Sequence, residues 1–226
     1  MNNKLIVRLS NNLGNQMFMY ASAYVFAKKL NREFFYDDET AYQGSSLYNY
    51  NLDIFKISST RAPENLKFLN KFGYVKRKFL KYLDNFNSRK MFYIEPRDHN
   101  KNTSFNDKIL NGNYNDKLFV EGHFESEKYF NSHINDIKSE FKFKNYKSFE
   151  NNQLYKDIKN SESVSVCIRQ NRFSERKRPI TIKDEENSLI FTEDQVKYVE
   201  KSMNIIKSKV TKPKFFLWSN DLKKLN

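Results

Sequence analysis

The sequence predicts an α/β protein built on a parallel sheet, on two observations. Near the start, Leu5-Ile6-Val7-Arg8-Leu9 is a short, apolar, β-rich run closed by Ser10-Asn11-Asn12, and Met17, Tyr20, Ala21 and Tyr24 follow at helical spacing. Near the end, Ser163-Val164-Ser165-Val166-Cys167-Ile168 alternates as a strand, Val196, Val199, Met203, Ile206 and Val210 form a helical stripe, and Phe215-Phe216-Leu217-Trp218 resumes as a strand. Strand, helix, strand in this order is the pattern of parallel strands joined by crossover helices.

Taken in order, the first helix is expected over 15–30, amphipathic, with Gly14 in the tight turn before it. Such a turn aims free backbone N–H groups beyond the strand's C-terminal end, which suits a phosphate or a polar sugar; plain packing of helix on sheet is the simpler reading. Neither G-x-G-x-x-G nor the P-loop pattern is present. Residues 33–38 (E-F-F-Y-D-D) read as the second strand, ending in acid. Residues 65–90 are the most basic stretch, with Lys67, Lys71, Lys76, Arg77, Lys78, Lys81, Arg89 and Lys90 against Asp84 alone. Phe72, Val75, Phe79, Leu80 and Leu83 interleave, and Gly73 argues that the helix starts only after it. The expectation is a helix that packs its apolar residues inward and solvates its lysines. A basic amphipathic helix on an anionic membrane surface, or a nucleic-acid face with stacking aromatics, are the functional alternatives.

Phe92-Tyr93-Ile94-Glu95 and Leu118-Phe119-Val120-Glu121 are further strand candidates, the second leading through Gly122 into a helix. The charged, Asn-rich stretch 140–160 reads as a connection, which divides the chain into 1–150 and 151–226. In the second part, Thr192 with Gln195 three residues on is a capping-box pattern that starts a helix, and Pro213 closes it. One β-α-β unit cannot cover both faces of a parallel sheet, so the second domain is expected to be incomplete.

The chain has 226 residues, a formal net charge of +13 and a single cysteine, Cys167. Asn, Lys, Phe and Tyr are over-used, a bias that often reflects nucleotide composition and inflates Lys without implying a basic partner. The charge still favours phosphate donors, anionic headgroups and nucleic acid alike. One cysteine excludes an intrachain disulfide and suggests a reducing compartment, with inert packing the ordinary role for a buried strand thiol. The histidines at 99, 123 and 133 and this cysteine have no metal-ligand spacing. No signal peptide and no spanning run are evident, so a soluble cytoplasmic protein is the default.

Leu13-Gly14-Asn15-Gln16-Met17-Phe18-Met19-Tyr20-Ala21 resembles the G-G-L-G-N-Q-M-F-Q-Y-A signature of glycosyltransferase family 11, the α-1,2-fucosyltransferases, with departures at Asn11-Asn12 and Met19. Gly122-His123-Phe124-Glu125-Ser126-Glu127-Lys128-Tyr129-Phe130 resembles the family's G-Y-F/W-Q-S-E-K-Y-F block, with His123 for the aromatic and Glu125 for Gln. The segment 48–57 is similar to a third, weaker pattern. The resemblance implies two Rossmann-like domains of GT-B type facing a cleft: an acceptor-side domain over 1–150, and over 151–226 the start of a GDP-sugar-binding domain, incomplete because family members run on past this point. It also implies an inverting, metal-independent fucosyltransferase with no cofactor. L-fucose would move from GDP-fucose to the 2-hydroxyl of a terminal galactose in a glycan or a lipopolysaccharide O-antigen intermediate. The place implied is the cytoplasm, peripheral to the inner membrane.

The family's strand-end motif H-x-R-R-x-D falls on Cys167 to Arg172, where only Arg169 is retained; Gln170 and Arg172 replace the second Arg and the Asp. An arginine offers phosphate oxygens a planar fork of donors and can neutralise charge developing on the β-phosphate without a metal. Arg172, with Arg176, Lys177 and Arg178, is a candidate to replace the charge lost at Gln170. By family position, Arg169 and Asn15 are the candidates for catalytic contact, and Gly14, Gln16, Ser219, Asn220 and Asp221 for donor or substrate binding. Ser219-Asn220-Asp221 equally fits an Asx turn after a strand. Asp38, His123 and Glu125, at or after strand ends, are candidates for the base or for acceptor contact, each with an ordinary structural alternative. Other readings of the chain are an inactive fragment that binds anionic membrane or nucleic acid through its basic stretch, and a transferase using another nucleotide sugar.

Overall fold

The computed structural model describes residues 3–44, 47–97, 103–175 and 179–221. The chain forms two compact units, Met1–Lys144 and Asn145–Asn226.

The first unit is a five-stranded sheet whose described pairings are all parallel. Its elements are β1 (Lys4–Arg8), α1 (Leu13–Lys29), β2 (Glu33–Asp37), β3 (Thr60–Arg61), α2 (Asn70–Asp84), β4 (Lys90–Ile94), β5 (Tyr114–Glu121) and α3 (Ile134–Glu140). The spatial order is β3-β2-β1-β5-β4, so β1 is the central strand, in register from Lys4↔Glu33 on one side and Lys4↔Lys117 on the other. A central strand covered on both faces must be apolar on both faces. Leu5, Val7 and Leu9 accordingly join the core beneath α1 with Tyr20, Ala23 and Phe26, while Ile6 joins Phe35, Phe92, Phe119 and Phe68 on the opposite face.

α1 differs from expectation in two ways. It starts at Leu13, so Gly14 lies in its first turn rather than before it. It is also not amphipathic: Met19, Tyr20, Ala23 and Phe26 face the sheet, and Ala21 and Val25 are buried with Ile137 of α3. A helix covered on both sides carries no polar stripe.

α2 departs further. It begins at Asn70 and runs straight through Gly73. Gly73 is required there because a Cβ would overlap the Phe68 carbonyl carbon and come within 2.8 Å of its oxygen. The expectation that α2 buries its apolar residues holds only for Leu80, which packs against the core around Phe92 and Phe119; Phe72, Val75, Phe79, Tyr82 and Leu83 are exposed, as is Phe86 just past the helix, while Gly73 and Asp84 face inward. β5 does not lead directly into a helix either; short 3-10 turns at Glu127–Tyr129 and Asn131–His133 come before α3.

The second unit holds α4 (Tyr146–Glu150), α5 (Gln153–Lys159), β6 (Glu162–Ile168), α6 (Ile182–Lys209) and β7 (Pro213–Ser219). β6 and β7 pair in parallel from Glu162↔Pro213 to Ile168↔Ser219. α6 starts well before Thr192. Its capping box is Thr181 with Asp184, each side chain bonded to the other's backbone N–H, and Thr192 is an interior residue bonded to the Ser188 carbonyl at 2.9 Å. Pro213 opens β7 rather than closing the helix, a position where its missing N–H costs little. Cys167 is exposed, not packed, because the alternation of β6 puts it on the same face as Ser163 and Ser165.

Among the described residues, no helix is long and apolar enough to cross a membrane, and no cluster of His, Cys, Asp and Glu could hold a metal ion.

Candidate functional site

In parallel α/β sheets, ligands bind outside the C-terminal strand ends, where neighbouring strands lead away in opposite directions. In the first unit that place lies between β1 and β5. A cavity of about 370 Å³ opens there, lined among others by Arg8, Ser10, Glu95, Arg97, Glu121 and His123.

Its floor is a charge network on Glu121, the last residue of β5. Arg77 of α2 grips both carboxylate oxygens, Lys81 donates at 2.6 Å and Arg8 approaches at 3.5 Å. Burial alone would raise the Glu121 pKa; the bonds from Arg77 and Lys81 and the Arg8 charge outweigh it and hold the carboxyl below its usual range. Burial likewise lowers Arg8 and Lys81, with Glu121 opposing. Arg8 Nε is buried and bonds to no described residue, an unspent donor on a cavity-lining guanidinium.

Glu95, just past β4, accepts the backbone N–H groups of His123 at 2.7 Å and Phe124 at 3.0 Å. Gly122 makes this possible, since a Cβ there would overlap Glu95 itself. The turn is tight enough to hold Phe124 at φ 51°.

The two segments singled out in the sequence meet at this rim. Asn11 Nδ2 lies 2.8 Å from His123 Nε2, and Asn15 Nδ2 donates to Glu125 Oε1 at 2.7 Å across 110 residues of chain. His123 Nδ1 is 3.9 Å from Glu125 Oε1. Gln16 is wholly buried: its amide donates to the Asn11 and Asn49 carbonyls and accepts from the Asn51 N–H, fixing loop 49–51 against α1. Gly14 lines a different, apolar groove with Met17, Phe18 and Phe130. Asp38 is buried between Lys67 at 2.8 Å and Arg61 at 3.3 Å, so both its oxygens are engaged.

In the second unit, the strand ends are tied by amides. The Asn220 side chain accepts from the Gln170 N–H at 2.7 Å and donates to its carbonyl at 3.0 Å, and the buried Gln170 amide reaches Ser219 Oγ at 3.2 Å and the Asp221 carbonyl. Gln195 of α6 clamps the Arg169 backbone in the same way, at 3.1 and 2.8 Å. The Arg169 guanidinium, about one-third exposed, is ion-paired with Glu175. Arg172 is exposed, and Arg176, Lys177, Arg178 and His99 lie outside the described residues.

Arg8, Glu95 and Glu121 were not singled out from the sequence, and Arg77 and Lys81 only as members of the basic stretch. A signal was present for three of them: Arg8, Glu95 and Glu121 are each the single charge closing an apolar run, L-I-V-R, F-Y-I-E and L-F-V-E.

Searches with family models and against curated proteins find no match to the chain. Among solved structures, it is similar to the fucosyltransferase NodZ from Bradyrhizobium, with a TM-score of 0.46 and 14% identity over 98% of this chain and 73% of that one. It is also similar to a NodZ α-1,6-fucosyltransferase soaked with GDP-fucose, with a TM-score of 0.47 and 13% identity over 97% and 72% of the respective chains.

Proposed function

We propose that this chain is a glycosyltransferase of the family 11 type, moving L-fucose from GDP-fucose to the 2-hydroxyl of a terminal galactose in a glycan or O-antigen intermediate, without a metal. The observation that carries the reading is the meeting of the two family-like segments beside one strand-end cavity, through Asn15–Glu125, with Asn11 just ahead of the first segment bonded to the cavity-lining His123.

In this reading the bond between the fucose anomeric carbon and the β-phosphate oxygen breaks, and the galactose O2 bonds to that carbon from the opposite face. GDP leaves with the bonding electrons. His123 is the favoured base, because it lines the cavity while Asp38 is held by two cations. The acceptor hydroxyl would take the place of Asn11 at Nε2 and pass its proton there, with Glu125 behind Nδ1 to stabilise the imidazolium. Asn15 positions Glu125, and Gln16 positions the loop against α1. Arg169 takes the diphosphate by exchanging Glu175 for phosphate oxygens, while Ser219, Asn220 and Asp221 set the strand end around it.

Calorimetric titration with GDP, ADP and UDP tests the donor half. GDP is expected to bind selectively, Arg169→Ala to weaken it by on the order of 10- to 100-fold, and Glu175→Gln to tighten it a few-fold by freeing the guanidinium. Equal GDP affinity in wild type and Arg169→Ala would remove Arg169 from the reading. For the acceptor half, His123→Ala is expected to lower transfer to galactosides roughly 10²- to 10⁴-fold with GDP binding unchanged. Transfer that persists on a 2-deoxygalactoside would rule out the 2-hydroxyl.

A further inference from the structure

We infer that the outer face of α2 is a docking surface for an anionic lipid bilayer. On this helix Phe72, Val75, Phe79 and Tyr82, continued by Phe86 just past its end, recur every three or four residues and form one stripe, with relative exposures of 77%, 62%, 59%, 62% and 74%. Apolar residues spaced this way usually point to a core. Here they point away from it.

The exposure is enforced by how the helix is attached. Arg77 and Lys81 reach inward to Glu121. Asp84 accepts the backbone N–H groups of Met91 at 2.7 Å and Phe92 at 2.9 Å, pinning the end of α2 to β4. Gly73 sits against the Phe68 backbone at a distance no side chain allows. Turning the stripe into the core would break all of these attachments.

The charges identify the occupant. At 100° per residue, Lys71 and Lys78 fall along one flank of the stripe and Lys76 along the other. Between 70 and 83 the sequence has no acidic residue, and Asp84 is turned inward. An apolar crest between rows of lysine matches a bilayer interface, where aromatic rings sit at headgroup depth and ammonium groups meet lipid phosphates. A second copy would set lysine rows against lysine rows. Phe72, Phe79, Tyr82 and Phe86 offer rings to bases as well as to lipid, so an oligonucleotide is set against the vesicles in the test below. The inference stands on α2 alone and does not depend on the transferase reading.

The test is co-sedimentation of the full chain with vesicles of phosphatidylcholine alone and of phosphatidylcholine mixed with phosphatidylglycerol. The wild type is expected to partition onto the mixed vesicles and to be released by salt. Replacing Lys71, Lys76 and Lys78 with Gln should reduce partitioning on the order of 100-fold, at roughly fivefold per lysine. Phe72→Ser with Phe79→Ser should reduce it by at least about tenfold. Circular dichroism melts of these surface variants should match the wild type, so loss of binding reads as loss of the surface. Equal partitioning onto neutral vesicles, or variants that partition like the wild type, would overturn the inference. So would a wild-type dimer that Phe72→Ser with Phe79→Ser disperses, or a mixed-sequence oligonucleotide that binds the chain more tightly than the vesicles do.

Discussion

α1 and α2 lie in the same unit and obey opposite rules. α1 is buried along most of its length on two sides, by the sheet beneath and by α3 above. α2 has the stronger separation of apolar from polar residues, yet its polar side faces the protein, through Arg77, Lys81 and Asp84, and its aromatic side faces out. One helix is held by area removed from water; the other is held largely by the bonds of Arg77 and Lys81 to Glu121 and of Asp84 to the β4 backbone, with Leu80 packed on the core. The difference teaches that periodicity reports a separation of faces but not which face is inside; that depends on what the sheet offers at the point of contact.

The comparison is broken most severely at the centre of α1. Tyr20 is 0% exposed and its hydroxyl bonds to Ser59 and Glu140. Tyr20→Ala is expected to cost about 3–5 kcal/mol, as loss of a large buried ring. Tyr20→Phe should cost only about 1–2 kcal/mol, because Glu140 keeps its bonds from Ser58. Chemical denaturation of the pair separates packing from hydrogen bonding.

Next comes the anchor of α2. Glu121→Gln leaves Arg77 and Lys81 without their counter-charge and Arg8 with only the Asp37 charge nearby, and is expected to cost on the order of 3 kcal/mol at neutral pH. The sign with pH follows from the lowered Glu121 pKa. The folded carboxyl titrates below its ordinary 4.5, so the network's contribution is full above that value and fades as pH falls through the lower folded value. The stability gap between wild type and Glu121→Gln should therefore close in acid, which denaturant melts across that range will show. A gap independent of pH would mean that Gln simply packs worse.

Much of the first unit was legible in the sequence because its central strands have to be apolar on both faces. Leu5 to Leu9 and Leu118 to Val120 announce themselves. Cys167 was misplaced for the converse reason: β6 alternates, and alternation alone does not say which face is covered. α6 was found late because its capping residues, Thr181 and Asp184, lie in a charged stretch far ahead of its apolar stripe. At the strand ends, the Asn11–His123 and Asn15–Glu125 contacts join segments that the sequence marks separately, and only the pairing of β1 with β5 brings them together. The Glu121 network was invisible because its members come from β1, α2 and β5, and their convergence is a property of the sheet order.

A milder contrast uses the glycine each helix carries. Helix propensity predicts that replacing either with Ala adds up to about 1 kcal/mol of stability. At Gly14 a new Cβ meets no described atom within 4 Å, so Gly14→Ala should be neutral or slightly stabilising. At Gly73 the same methyl collides with Phe68 backbone, and Gly73→Ala should instead cost about 1–3 kcal/mol as overpacking. Opposite signs in matched thermal melts are the expected result.

The smallest effect is the most telling. Phe79 in the middle of α2 and Tyr20 in the middle of α1 are both large aromatics within a helical apolar pattern, and a reading by periodicity would rank them alike. Phe79 is 59% exposed and lies opposite the face that carries Arg77, Lys81 and Asp84. Its truncation removes little area that folding had hidden, so Phe79→Ser should change stability by no more than about 0.5 kcal/mol. Measured beside Tyr20→Ala in the same denaturant series, it sets the scale of the difference between the helices. A loss at Phe79 approaching that at Tyr20 would mean that the α2 stripe is covered in solution, and the outward face would then be an internal contact rather than a surface open to lipid.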